Sequence, residues 1–167
     1  PGAAARRLLA LGRAAPVPVP CVPVDYTLPA PLPDLAFTTK AVVYYIRFKA
    51  SAEATITIAA DKTRLGAKVG ITSVLHTWGS AMTHHPHVHC IVPGGGLSPN
   101  RLHWISCKPK FFLSVKVLSR LFRRLMCQRL AATHAKGALQ FFGANAALKD
   151  GDAFRKLLMP LRRSAWF

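Results

Sequence analysis

Seven prolines crowd one stretch of twenty residues: Pro16, Pro18, Pro20, Pro23, Pro29, Pro31 and Pro33. Proline holds φ near about −65° and removes the backbone N–H, so neither a helix nor a central strand passes through such a segment. The stretch reads as extended or polyproline-like and poorly packed, with room for one short strand around Val22–Leu28. The Ala- and Arg-rich residues before it contain no apolar run near the ~18 residues of a membrane span, and no clear signal-peptide core or cleavage site. The chain is therefore divided into a Pro/Ala/Arg-rich lead over 1–33, poorly ordered or degenerate, and a folding unit over 34–167. A start at Pro1 rather than Met reads as a fragment whose true beginning is missing.

The pattern after the lead is mixed. Phe37, Ala41, Tyr44, Tyr45 and Phe48 fall near helical spacing and predict a helix from about Thr38 to Ala59, capped by Asp34 or Thr38. Residues 66–79 read as a turn and then a strand, VGITSVLHTW. A short loop leads to a second strand, HVHCIV, stopped by Pro93 and Gly94–Gly96. The short connection makes the two strands antiparallel neighbours. The triple glycine is either a flexible turn or a place where a DNA backbone approaches closely. A further short strand is expected at Arg101–Ser106. Helical spacing is clearest from Ser114 to Ala135, where Leu118, Leu121, Phe122, Leu125 and Met126 form an apolar stripe. Ser114 suits the start of that helix and Gly137 the position past its end. A last helix is expected from Asp152 to about Leu158, before Pro160. The class is α+β.

Charge narrows the partner. There are 23 Lys+Arg against 6 Asp+Glu, a net of +17, while 51% of residues are hydrophobic. A polybasic disordered tail is excluded by the second figure. The first calls for a polyanion, nucleic acid before an acidic membrane surface, and a small-molecule substrate would not explain it. The excess is +5 over residues 1–83 and +12 over residues 84–167. Arg120, Arg123, Arg124 and Arg129 lie around the polar side of the 114–135 helix, with Lys108 and Lys110 nearby. These six are the candidate DNA-phosphate contacts, the alternative being a solvated helix face. Four cysteines at irregular spacing give neither a zinc framework nor a disulfide scaffold, which suits a reducing, cytoplasmic setting.

Five of the seven histidines lie between residues 76 and 89: His76, His84, His85, His87 and His89. In a strand, side chains at i and i+2 point to one face, so His87 and His89 project together while Val88 turns toward the core. That is how two imidazoles reach one ion; His76 and His85 are candidates for a third ligand. No carboxylate occurs between Asp61 and Asp150, so a site in this stretch would rest on neutral nitrogen donors. An ion held that way keeps its charge and polarises a phosphate oxygen. Alternatively the pair is structural, in a non-catalytic basic nucleic-acid-binding module. Trp78 and Trp104 fit core packing better than base stacking, and His103 and His134 read as isolated surface residues.

The stretch LHTWGSAMTHHPHVHCIVPGGGLS, followed by FFLSVKVLSRLFRRL, resembles the transposases of the IS ninety-one type. These are rolling-circle enzymes of the HUH endonuclease superfamily, and the HUH motif here is His87-Val88-His89. The likeness runs from about Leu28 to Phe167. It implies an RRM-like antiparallel sheet with the motif on a central strand and helices on one face. It also implies single-stranded transposon-end DNA as partner and a divalent ion, Mg²⁺ or Mn²⁺, on the two histidines and a third polar ligand. A tyrosine then attacks the scissile phosphate to give a 5′-phosphotyrosine and a free 3′-OH. Two features depart from that pattern. The family's tyrosines follow the motif, whereas Tyr26, Tyr44 and Tyr45 all precede it. The cysteine-rich zinc region expected at the N-terminus is missing. Tyr44 and Tyr45, adjacent on a helix and so about 100° apart, cannot form a same-face pair. No residue of this chain is assigned as nucleophile, and the oligomeric state is left open.

Overall fold

The computed structural model describes residues 19–30, 32, 35, 39–78, 84–108 and 112–166. Its architecture follows from one alternation. Along strand β3 (His84–Pro93), Val88, Cys90 and Val92 are buried completely, while His87 and His89 are half-buried and Ile91 is exposed. One face of this strand is thus a core face and the other is open. Antiparallel partners flank it: β1 (Cys21–Thr27) on one side and β2 (Thr72–Trp78) on the other, in the order β1-β3-β2. The HVH sequence therefore lies on the central strand, and β2 and β3 are the antiparallel neighbours expected.

The proline-rich lead behaves differently from the expectation of poor packing. Its described part belongs to the fold: Cys21–Thr27 form a strand, and Tyr26, Leu28 and Leu32 are buried. β1 sits within one residue of the predicted short strand. Pro23 is compatible with this because β1 is paired, among the described residues, on one side only. Pro23 faces outward, and the Leu32 amide closes a turn on the Pro29 carbonyl.

Helices cover the inner face. Helix α1 (Lys40–Ala60) buries Val43, Ile46, Arg47, Ala50, Ser51, Ala54 and Thr55. This stripe is rotated from the aromatic one expected, and Tyr45 is 62% exposed. Ala50, Ser51 and Ala54 are small enough for the neighbouring elements to approach closely, which the larger Tyr44 and Phe48, both half-buried, would prevent. The proposed caps Asp34 and Thr38, and Phe37, lie outside the described residues. Helix α2 (Val115–Ala135) buries Leu118, Phe122, Leu125 and Met126 of the expected stripe, leaves Leu121 half-buried, and also buries Cys127 and Leu130. Each such side chain contributes roughly 1.5–3 kcal/mol. Phe122 packs on Tyr26 of β1, ring centroids 4.6 Å apart. Ser114 precedes α2 but makes no side-chain cap.

A 3-10 turn, Gly143–Lys149, leads to helix α3 (Gly151–Leu161), which Asp150 caps by accepting from the amides of Asp152 and Ala153. Helix α3 carries Pro160 within its last turn instead of ending before it. A small second sheet pairs β4 (Gly95–Leu97) with β5 (Trp104–Ser106). Gly95 and Gly96 of the triple glycine belong to this sheet and are buried, with Gly94 just before it. A Cβ on Gly96 would stand 2.5 Å from the Lys68 carbonyl oxygen, and one on Gly95 would collide with that of Ile105. No described helix is long and apolar enough to cross a membrane.

Candidate metal centre

Strand register builds the site. His76 on β2 is directly opposite His87 on β3, and Asp25 on β1 is directly opposite His89. All four point to the open face, because the residues between them, Leu75, Val88 and Tyr26, point into the core. One nitrogen from each of His76, His87 and His89 lies within 4.8 Å of the others. Ring centroids are 4.3 Å apart for His76–His89, 4.5 Å for His87–His89 and 5.5 Å for His76–His87, all edge to face. His76 is exposed and the other two are half-buried. Three imidazoles this close on a face open to solvent are a donor set of the kind that can hold a divalent transition ion.

Of the two third-ligand candidates, the structure brings His76 to the pair. The side chain of His85 lies outside the described residues. Sequence reasoning missed Asp25. Its Oδ1 lies 2.5 Å from Nδ1 of His89. A carboxylate accepts, so Nδ1–H is the donor, and a neutral His89 then presents Nε2 as its free lone pair. A carboxylate behind a metal-binding imidazole orients the ring and raises its basicity. The stretch from Asp61 to Asp150 is free of carboxylates in sequence, yet in space the site has one, 64 residues before its partner.

No tyrosine stands beside the histidines. Tyr26 neighbours Asp25 and so points to the opposite face, where it shares a 2.8 Å hydrogen bond with Thr55 and burial pushes its pKa up to about 12. Tyr44 and Tyr45 are on α1, behind the sheet; burial raises the Tyr44 hydroxyl as well. His134 is no isolated surface residue: it stacks on Phe154 at 4.3 Å and pairs with the Leu148 carbonyl at 2.8 Å. Trp104 is 39% exposed and lies against Gly95 rather than in the core, while the Trp78 side chain lies outside the described residues.

The candidate DNA contacts divide. Arg120, Arg124 and Lys108 are exposed. Arg123 donates to the Ser164 carbonyl, and Arg129 is engaged in a salt bridge with Glu53 of α1. Lys110 lies outside the described residues.

Residues 70–167 match the family described as "Putative transposase". The chain is also 52% identical over 143 residues to "Putative transposase y4qJ" of Sinorhizobium fredii (strain NBRC 101917 / NGR234), an alignment covering 86% of this chain and 36% of that protein. The chain thus spans about a third of the length of this relative. No solved structure matches. The family region takes in the whole of β2 and β3 with all three clustered histidines, and with more than half its residues inside that region the chain belongs to the "Putative transposase" family.

Proposed function

We propose that this chain is the DNA- and metal-binding part of a rolling-circle transposase of the IS ninety-one, HUH type, acting in DNA transposition. The observation that carries this reading is the convergence of His76, His87 and His89 on the open face of the sheet. These three hold the ion, and Asp25 fixes the ring of His89 through Nδ1. The bound ion supplies Lewis-acid polarisation of a phosphate oxygen. Of the two ions the family resemblance implies, Mn²⁺ suits imidazole donors better than Mg²⁺, which prefers oxygen.

The open face of the RRM-like sheet also suits single-stranded DNA. Val74 and Ile91 flank the histidines there at 45% and 46% exposure, giving bases an apolar surface beside the cluster. The net charge of +17 attracts the backbone. In the full-length enzyme a tyrosine outside this chain attacks the phosphate and forms the 5′-phosphotyrosine that is later rejoined.

Titration with Mn²⁺ by calorimetry, alongside binding of a fluorescent single-stranded transposon-end oligonucleotide, tests the reading. The chain should bind one ion, and the His87→Ala/His89→Ala variant should bind none. Equal Mn²⁺ binding by both proteins would leave a non-catalytic basic module as the answer. Incubation of the chain with the oligonucleotide and Mn²⁺ should yield no covalent adduct on a denaturing gel. An adduct would show that the nucleophile lies within these residues.

A further inference from the structure

The histidine face leaves a cluster of arginines on the far side of the fold unused. A cleft of about 780 Å³ lies between the end of α1, the Val117–Gln128 part of α2 and Arg162 after α3. Arg120, Arg123, Arg124 and Arg162 line it, and no carboxylate is among its lining residues. Ile58 and Cys127 contribute apolar wall. The one acidic group on the described part of α1, Glu53, is engaged by Arg129. Arg123 is anchored by the Ser164 carbonyl, which holds its guanidinium in place while leaving further N–H groups. Burial pushes the Cys127 thiol up, and the charges of Arg162 and Arg123 pull against it, so both guanidinium groups bear on this wall of the cleft.

Position separates this cleft from the histidines. Leu118, Phe122, Leu125 and Met126 turn α2 toward the core, and Arg120 and Arg124, one helical turn apart, are exposed away from it. The histidines occupy the sheet face that the helices do not cover. A strand lying over the histidines therefore does not run through the cleft. Four like charges around a partly apolar cavity repel one another and focus a positive potential into it. A string of phosphates relieves that repulsion, and planar guanidinium groups bind phosphate oxygens in pairs.

We infer that this cleft is a second nucleic-acid site, taking the phosphodiester backbone of a DNA segment other than the strand at the histidines. The inference rests on the transposase reading for the identity of the polyanion, and on the cleft alone for its place. With it, one folded unit grips two stretches of DNA on opposite sides of its sheet.

The test measures anisotropy of a fluorescein-labelled DNA duplex against the full chain over a salt series. Neutralising three contacts in Arg120→Ala/Arg124→Ala/Arg162→Ala should reduce the slope of log K against log salt by roughly 2–3, at about 0.9 per phosphate contact. Mn²⁺ binding should not change. The corresponding triple lysine variant should retain most of the slope. A single charge reversal at an exposed position, Arg124→Glu, provides the same readout if the triple alanine variant melts early. Slopes equal to wild type in both variants would overturn the inference, as would binding of phosphatidylserine vesicles in place of the duplex. His87→Ala/His89→Ala separates the two claims: it should abolish Mn²⁺ binding and leave the duplex salt slope intact. Failure of the wild-type chain to bind Mn²⁺ would remove the metal reading and leave the cleft standing.

Discussion

Arg47 is fully buried in the middle of the core face of α1, and none of its three guanidinium nitrogens has a hydrogen-bond partner among the described residues. Burial pushes its pKa down to about 10. The charged form is therefore disfavoured in the folded state, by roughly 3 kcal/mol at neutral pH. Arg47→Met keeps most of the aliphatic stem and removes the charge. Incomplete filling of the vacated volume returns about 1 kcal/mol of that gain. The net expectation is stabilisation by about 1–2 kcal/mol, a rise in Tm of roughly 2–8 °C for a chain this long. Urea unfolding followed by circular dichroism measures it. The pH dependence provides a second check with a fixed sign. A base whose folded pKa is depressed binds more protons when unfolded, so wild-type stability rises with pH through that interval. The advantage of the variant should be constant below about pH 10 and narrow above it. Destabilisation of Arg47→Met by 1 kcal/mol or more would refute the argument, because it would mean that the guanidinium is satisfied by a partner.

Asp25→Asn should weaken Mn²⁺ binding by about 10–100-fold with little change in Tm, since it alters only the group behind His89; calorimetric titration and a thermal melt decide it. Gly95→Ala should cost about 1–3 kcal/mol or more, because its Cβ meets the backbone oxygen of Ile105 rather than a side chain that could move; urea unfolding reads the loss. His134→Ala should cost about 1–3 kcal/mol through the lost Phe154 stack and Leu148 contact, and leave Mn²⁺ binding unchanged. Tyr26→Phe should cost about 1 kcal/mol by removing the bond to Thr55.

What was legible in the sequence was what depends on near neighbours. The i, i+2 spacing placed His87 and His89 on one face, and the short connection made β2 antiparallel to β3. The 3.6-residue period gave four residues of the buried stripe of α2, Leu118, Phe122, Leu125 and Met126, and missed Cys127 and Leu130. What depends on distant partners was not legible. Asp25 reaches His89 only through the register of β1 on β3, and nothing in a carboxylate count reveals a pairing across 64 residues. A short strand expected in the lead, with its one acidic residue, was the only available signal. The triple glycine carried a signal of close approach, but the approaching groups are the backbones of Ile105 and Lys68 rather than a ligand. On α1, aromatic spacing suggested one face, and the small residues Ala50, Ser51 and Ala54 selected another because they permit close packing.

The pairing of His76 with His87 and of Asp25 with His89 ties the cluster to the register of all three strands. A slip of either outer strand by one residue would turn its contribution to the opposite face, burying an imidazole or a carboxylate and exposing the apolar residue beside it. An ion held across β2 and β3, with Asp25 bound behind it from β1, is accommodated by a single alignment of all three strands. Ion binding, if the cluster takes one, would then report directly on correct strand pairing.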